Sequence, residues 1–291
     1  YIVFRAIDGL SDSDFIYYLV CSPFVRESAI KSMVGSSGRQ RVQTDVLEKL
    51  ALSVPPLNEQ IQIGAVLRAL DDKIAQNTQI NHNLAEMLQA IYQQRFGDCI
   101  SAPSHGHLSD ICAYSKDRIA VSTLHQDSYY STENMLPGKA GATAATNLPT
   151  IPQTTACHPG DTLISNIRPY FKKIVYCDTE CGCSTDVLCF TPIHPSYSSY
   201  VYCTLYADKF FDYMVAGSRG TKMPRGDKQQ IMTYTIARPT DDEIVSFDSV
   251  ATPILTQILS NRTENERLSS VRDTLLPKLM SSELDVSEVD I

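Results

Sequence analysis

Two stretches of this chain, 184 residues apart, carry the same helical pattern. Ile63, Val66, Leu70, Ile74, Asn77, Leu84, Met87 and Ile91 map, on adding 184, to Phe247, Val250, Ile254, Ile258, Asn261, Leu268, Val271 and Leu275. Seven apolar positions fall on apolar ones and an Asn falls on an Asn, without a gap. Steps of three and four residues mark a helix with one buried stripe. A chain with this repeat is confined to folds built from two copies of one unit. The period is far longer than that of a solenoid, so the copies are duplicated domains.

The duplication extends upstream. Gly35-Ser-Ser-Gly38-Arg39-Gln-Arg41 precedes a short helical stretch, then Leu50-Ala-Leu-Ser-Val54, then Pro55-Pro56. Gly217-Ser-Arg219-Gly220-Thr-Lys222 precedes a short polar stretch, then Tyr234-Thr-Ile-Ala237, then Arg238-Pro239. Each glycine pair follows an aromatic-rich helical segment, Phe15 to Val34 or Tyr197 to Ala216, whose three-to-four spacing reads as a packed core face. Glycine directly after a helix predicts a left-handed C-terminal cap. Each copy therefore reads helix, glycine loop, short helix, strand, proline, long helix. His107 to Asp186 has no counterpart ahead of the first copy, and Tyr1 falls in what reads as a strand. The first domain is thus expected to lack its N-terminal half.

No apolar run approaches the roughly 18–20 residues needed to span a bilayer, so no membrane partner is expected. Nine cysteines at irregular spacing suit reduced thiols and a cytoplasmic location. Cys177, Cys181 and Cys183 would need Cys157 or Cys189 to complete a zinc site, without the two well-spaced pairs zinc usually takes. They are read as buried strand cysteines, with no metal. The net charge of −8 argues against nucleic acid until it is located: residues 239–291 hold four basic and eleven acidic groups, whereas 97–238 hold twelve of each. Phosphate contact depends on local potential, so global acidity does not exclude DNA.

Catalytic motifs are missing. There is no Gly-x-Gly-x-x-Gly, Walker loop, His-Glu-x-x-His or Gly-x-Ser-x-Gly. Asn166-Ile-Arg-Pro-Tyr170 superficially resembles the Asn-Pro-Pro-Tyr loop of adenine methyltransferases, but Ile and Arg break it. His105-Gly-His107 reads as loop. Neither an enzyme nor a cofactor is expected. Binding features are stronger. His158-Pro-Gly160-Asp161 turns into the β-compatible run Thr162 to Asn166, and Arg168, Pro169, Tyr170, Phe171, Lys172 and Lys173 follow at once. The loop after the second aromatic helix adds Arg219, Lys222, Arg225 and Lys228, and the first copy's glycine loop carries Arg39 and Arg41. Glycine lets backbone approach a ligand, while Arg and Lys neutralise phosphates or read guanine edges. Such residues are often only a solvated face. Their recurrence at equivalent positions of a tandem favours a DNA-facing surface.

Residues 57 to 96 can make a helix of roughly 60 Å, and about 240 to 280 a similar one starting with the capping box Thr240-Asp-Asp-Glu243. Ile63, Leu67, Leu70, Ile74, Asn77, Asn81, Leu84, Leu88 and Ile91 form a coiled-coil seam with a polar centre. Val250, Ile254, Ile258, Asn261, Leu268 and Leu275 are its expected partners. Packed antiparallel, the helices would set the modules at opposite ends, one to two turns of B-DNA apart at roughly 34–36 Å per turn.

Val54-Pro-Pro-Leu-Asn-Glu-Gln60, Pro159-Gly-Asp-Thr-Leu-Ile-Ser-Asn-Ile-Arg-Pro-Tyr170 and Leu276-Pro-Lys-Leu-Met280 with its acidic tail closely resemble type I restriction-modification specificity subunits. The resemblance implies an α+β protein: tandem target-recognition domains separated by an antiparallel two-helix coiled coil. It implies residues 1–56 as the end of a first recognition domain, 57–100 as the first spacer helix, 101–238 as a complete second domain, and 239–291 as the second spacer helix and tail. It further implies a non-catalytic subunit that reads a bipartite site on double-stranded DNA and directs two methyltransferase subunits and restriction/translocase subunits to it. The alternative is an assembly module of the same complex that cannot bind DNA productively because its first domain is incomplete.

Overall fold

The structure is a computed structural model, and it describes residues 1–36, 38, 40–97 and 104–286. The described α-helices are α1 (Ser13–Cys21), α2 (Pro23–Lys31), α3 (Thr44–Glu48), α4 (Leu57–Phe96), α5 (Ser198–Tyr206), α6 (Asp208–Ala216), α7 (Lys228–Met232) and α8 (Asp241–Met280). The strands are β1 (His105–His107), β2 (Cys112–Tyr114), β3 (Arg118–Ala120), β4 (Tyr129–Tyr130), β5 (Gln153–Cys157), β6 (Thr162–Ser165), β7 (Ile174–Tyr176), β8 (Cys181–Cys183), β9 (Val187–Pro192) and β10 (Thr235–Ala237). Two compact units result, Tyr1–Asn81 with Ser260–Ile291, and His82–Leu259.

In the first unit, Asp12 caps α1 by accepting from the Phe15 amide at 2.9 Å. The expected single helix from Phe15 to Val34 breaks at Ser22, which is extended (φ −62°, ψ 149°) because Pro23 follows. The second copy breaks at the matching place, Ala207, with no proline. Phe15, Tyr18, Leu19 and Val25 pack on Ile63, Val66 and Leu67 of α4 and on Leu276 and Leu279 of α8. Gly64 permits this: a Cβ there would lie 2.8 Å from Asp12 Oδ1 and 3.0 Å from the Phe15 nitrogen. Residues 57–81 and 260–280 lie side by side and antiparallel. Asn77 Nδ2 donates to Glu264 Oε2 at 2.7 Å and Asn265 Oδ1 at 3.0 Å, and Asn261 Nδ2 donates to Asn81 Oδ1 at 2.8 Å. Asn81 and Asn265 are themselves 184 apart, so the two copies exchange equivalent hydrogen bonds.

The second unit is layered. One antiparallel sheet runs β2-β9-β6-β7, another β3-β5-β8-β4 with only β4–β8 parallel, and β1 pairs with β10. Alternation along the strands sorts the core. Ile164, Ile174, Leu188 and Phe190 face α5 and α6, while Leu163, Val175, Val187 and Cys189 face the other sheet. Strands buried on both faces read as unbroken apolar runs. Cys157, Cys177, Cys181, Cys183 and Cys189 lie as free thiols in that inter-sheet core. Leu88, Tyr92 and Phe96 of α4 meet Phe247, Ala251 and Leu255 of α8 around Tyr200, with ring centroids 5.0 Å apart for Phe96–Tyr200 and 5.4 Å for Phe96–Phe247. Thr240 and Glu243 form the expected capping box on α8.

Five expectations are corrected. Val250 is 37% exposed; Ala251 and Leu255 take its place because α8 also packs on α5, where Ser199 Oγ donates to Asp248, which turns the buried face. Tyr17 is 55% exposed although its neighbour Tyr18 is core. Gly217 is right-handed (φ −88°), a conformation open to any residue, and packs under the Gln230 side chain; the later glycines, Gly38 (φ 83°) and Gly220 (φ 100°), take the left-handed conformation. Residues 1–7 and 50–54 are not strands: β10, the counterpart of 50–54, is held by β1, and no described residue gives the first copy such a partner. His105-Gly-His107 is that partner strand and not a loop.

Candidate nucleic-acid interface

The β6–β7 hairpin places residues 166–173 at its tip, and the segment joining α6 to α7 lies against it. The Arg168 amide donates to Pro224 O at 2.8 Å, the Gly226 amide donates to Asn166 O at 3.2 Å, and Ile167 bridges Arg225. Gly226 is required by this approach, since a Cβ would lie 2.8–2.9 Å from Met214 Cε, Asn166 Oδ1 and Ile231 Cδ1. Arg219 and Arg225 exchange backbone hydrogen bonds of 2.9 Å, closing the second loop on itself. A third segment joins in: the amides of Gly138 and Lys139 donate to Phe171 O and Lys172 O at 2.8 and 2.9 Å.

The backbone is strained there. Arg168 (φ 51°, ψ 62°), Lys172 (φ 51°, ψ 49°) and Lys139 (φ 64°) are left-handed without being glycine. Each costs on the order of 1–3 kcal/mol and persists only where surrounding contacts over-determine it.

The structure thus brings Arg168, Tyr170, Lys172, Lys173, Arg219, Lys222, Arg225 and Lys228 onto adjoining loops, but not in equal states. Lys172 and Lys139 both pair with Asp208 Oδ1, at 2.9 and 2.7 Å, and hydrogen bonds from Lys139 and then Lys172 hold that carboxyl below the usual range. Lys173 Nζ donates to Thr132 O at 2.5 Å, and burial lowers its pKa. Arg225 pairs with Asp186 at 3.0 Å. Arg219 pairs with Asp227 at 2.8 Å but is 85% exposed, so that pair contributes little. Asp227 is mainly occupied as the α7 cap, its pKa lowered by the amides of Gln230 and Gln229. Lys228 Nζ lies 5.9 Å from the Tyr114 ring centre. Among the described residues, Arg168 and Lys222 form no ion pair, and Arg168 Nε is buried without a hydrogen-bond partner.

Arg41 belongs to the other unit, exposed on a loop closed by its backbone pairing with Val34. Arg39 lies outside the described residues. The sequence reading missed Lys139, Asp186, Asp208 and Asp227; Gly138-Lys139 carries a turn signal, but nothing local ties it to the aromatic turn.

Comparison with known proteins shows what the chain is similar to. Residues 1–86 match the model of the type I restriction modification DNA specificity domain. No curated protein sequence matches. The crystal structure of the type I restriction-modification S subunit from M. genitalium is similar at a TM-score of 0.57 and 18% identity, over 94% of this chain and 74% of that one. The HsdS subunit from Thermoanaerobacter tengcongensis aligns at 0.37 and 15%, over 96% and 73%. Residues 1–86 are thus similar to the type I restriction modification DNA specificity domain, and the α+β fold is like that of the M. genitalium S subunit. No helix of the described residues is long and apolar enough to cross a membrane.

Proposed function

We infer that the chain is the non-catalytic specificity subunit of a type I restriction-modification complex, recognising a bipartite site on double-stranded DNA. Residues 101–238 act as one complete recognition domain and 1–56 as part of another. The helices of 57–100 and 239–291 form an antiparallel coiled-coil spacer on which methyltransferase subunits dock, with restriction subunits acting through the assembled complex. The observation that carries this reading is the junction of the 166–173 and 217–228 loops into one basic surface, built on a strained, tightly bonded backbone. Arg168 and Lys222 supply its uncommitted cations, and Arg219 can exchange an exposed carboxylate for phosphate. That surface also disfavours a purely assembly-related role, which would need none of it.

The test is DNA binding by the chain in complex with its methyltransferase subunits across a salt series. Arg168→Ala, Arg219→Ala and Lys222→Ala should each weaken binding, and each lost phosphate contact should lower the log–log salt slope by about 0.9. A residue that reads guanine instead should lose about 1–3 kcal/mol at one base position. Binding unchanged in all three variants at every salt concentration would reject this surface.

A further inference from the structure

The Arg168–Lys172 turn is more ordered than phosphate contact requires. Tyr170 and Phe171 stand 50% and 39% exposed, their ring centroids 4.7 Å apart and their planes at 55°. Pro169 beneath them is buried, and a proline fixes its own φ. The Phe171 and Lys172 amides donate to Arg168 O and Pro169 O at 3.0 and 2.9 Å, adding to the bonds from Gly138, Lys139 and Arg168 described above. The lysines after the rings are held by protein groups, Lys172 at the surface by Asp208 and Lys173 by Thr132 O, while the rings have no such tie. A loop built only for phosphate would leave those ammonium groups unpaired and would need no exposed aromatic pair.

Two flat apolar rings beside the uncommitted cations Arg168 and Lys222 complement stacked bases flanked by phosphates. We propose that Tyr170 and Phe171 form an aromatic wedge that enters a base step of duplex DNA and unstacks it, so that this turn senses how easily the step deforms. The proposal rests on the DNA-reading assignment of the same surface. The left-handed residues on either side hold the rings in place before DNA arrives, so little ordering remains to oppose insertion.

The test uses the full chain. Duplexes are selected from a random pool, and each adenine of an enriched duplex is replaced in turn by 2-aminopurine, whose emission rises on unstacking. The expected result is a several-fold rise at one step with the native protein. The rise should be absent with the Tyr170→Ala/Phe171→Ala double variant, which should bind about 5- to 100-fold more weakly. Tyr170→Phe should keep both signals, since the ring and not the hydroxyl acts. Both side chains are exposed, so the variants should fold, which circular dichroism checks. Saturable binding without an emission change at any position would overturn the wedge and leave the DNA reading intact. Failure to enrich any duplex, by the chain alone and with its methyltransferase subunits, would remove both.

Discussion

Asp71 ties three helices of the first unit together, and its removal should be among the most damaging single changes there. Its Oδ2 accepts from the Tyr18 hydroxyl of α1 at 2.6 Å, and its Oδ1 accepts from Arg272 Nη1 of α8 at 2.6 Å. The Asp71 and Arg272 side chains are 27% and 28% exposed, and Tyr18 is 2% exposed. Hydrogen bonds to a charged partner contribute about 1.5–3 kcal/mol each. Arg272 keeps Asp273 at 2.8 Å and can rehydrate, so its share falls at the low end. The Tyr18 hydroxyl would be left inside the core, so its share falls at the high end. Asp71→Ala should therefore cost about 4–5 kcal/mol, a melting shift of roughly 7 °C for a protein of this size. Tyr18→Phe removes one bond and leaves Asp71 its arginine, for about 1–2 kcal/mol. Because both changes delete the same bond, the double variant should fall short of additivity by about 1 kcal/mol or more. Urea unfolding followed by circular dichroism at neutral pH measures all three. A loss under about 0.5 kcal/mol for Asp71→Ala, within the range of an ordinary surface change, or strict additivity with Tyr18→Phe, would refute the reasoning.

None of that network was legible in the sequence, and the reason is physical. Asp71 and Arg272 each look like ordinary charges on the outer face of a long helix, and only the antiparallel register brings them to 2.6 Å. The helices themselves were legible, because 40 residues of three-and-four spacing repeated at a fixed offset leave no competing reading. Asn77 and Asn261 were legible for the same reason. The rotation that exposes Val250 was not, since it depends on α5 as a second neighbour. The sheets were legible at β6, where an apolar run follows a Pro-Gly turn, at β10 ahead of Arg238-Pro239, and in the buried cysteines of β8. Strands of two or three residues such as β3 and β4 carry no period to count. At the interface, the basic and aromatic residues were legible as types. Their joining through Pro224 and Asn166, and the commitment of Lys172 to Asp208, depend on backbone geometry that residue identity does not encode.

The helix register gives a paired expectation: Leu67→Asp, at a fully buried position, should cost upwards of about 3 kcal/mol by burying an unpaired charge. Val250→Asp should cost under about 1 kcal/mol as a surface change, and equal losses in thermal melts would contradict the observed rotation. For pH, Asp208 has a depressed folded pKa, so its contribution is present above the unfolded carboxylate value and is lost as pH falls through the folded one. Protection of the Lys139 amide, its exchange rate relative to the intrinsic rate at each pH, should fall on acidification below about pH 4, and Asp208→Asn should show the lowered protection already at neutral pH; protection that does not change with pH would break the link. The last expectation concerns chemistry the chain should not perform alone. Asn166, which heads the broken resemblance to the Asn-Pro-Pro-Tyr loop, is 7% exposed, and its backbone oxygen accepts from the Gly226 amide. Its side-chain oxygen is buried beside Gly226, and no glycine-rich cofactor loop accompanies it in the sequence. The isolated chain should therefore neither methylate DNA nor bind S-adenosylmethionine, and methylation should appear only when methyltransferase subunits are added. Calorimetry with S-adenosylmethionine decides the point, because saturable, stoichiometric binding by the chain alone is incompatible with a non-catalytic specificity subunit.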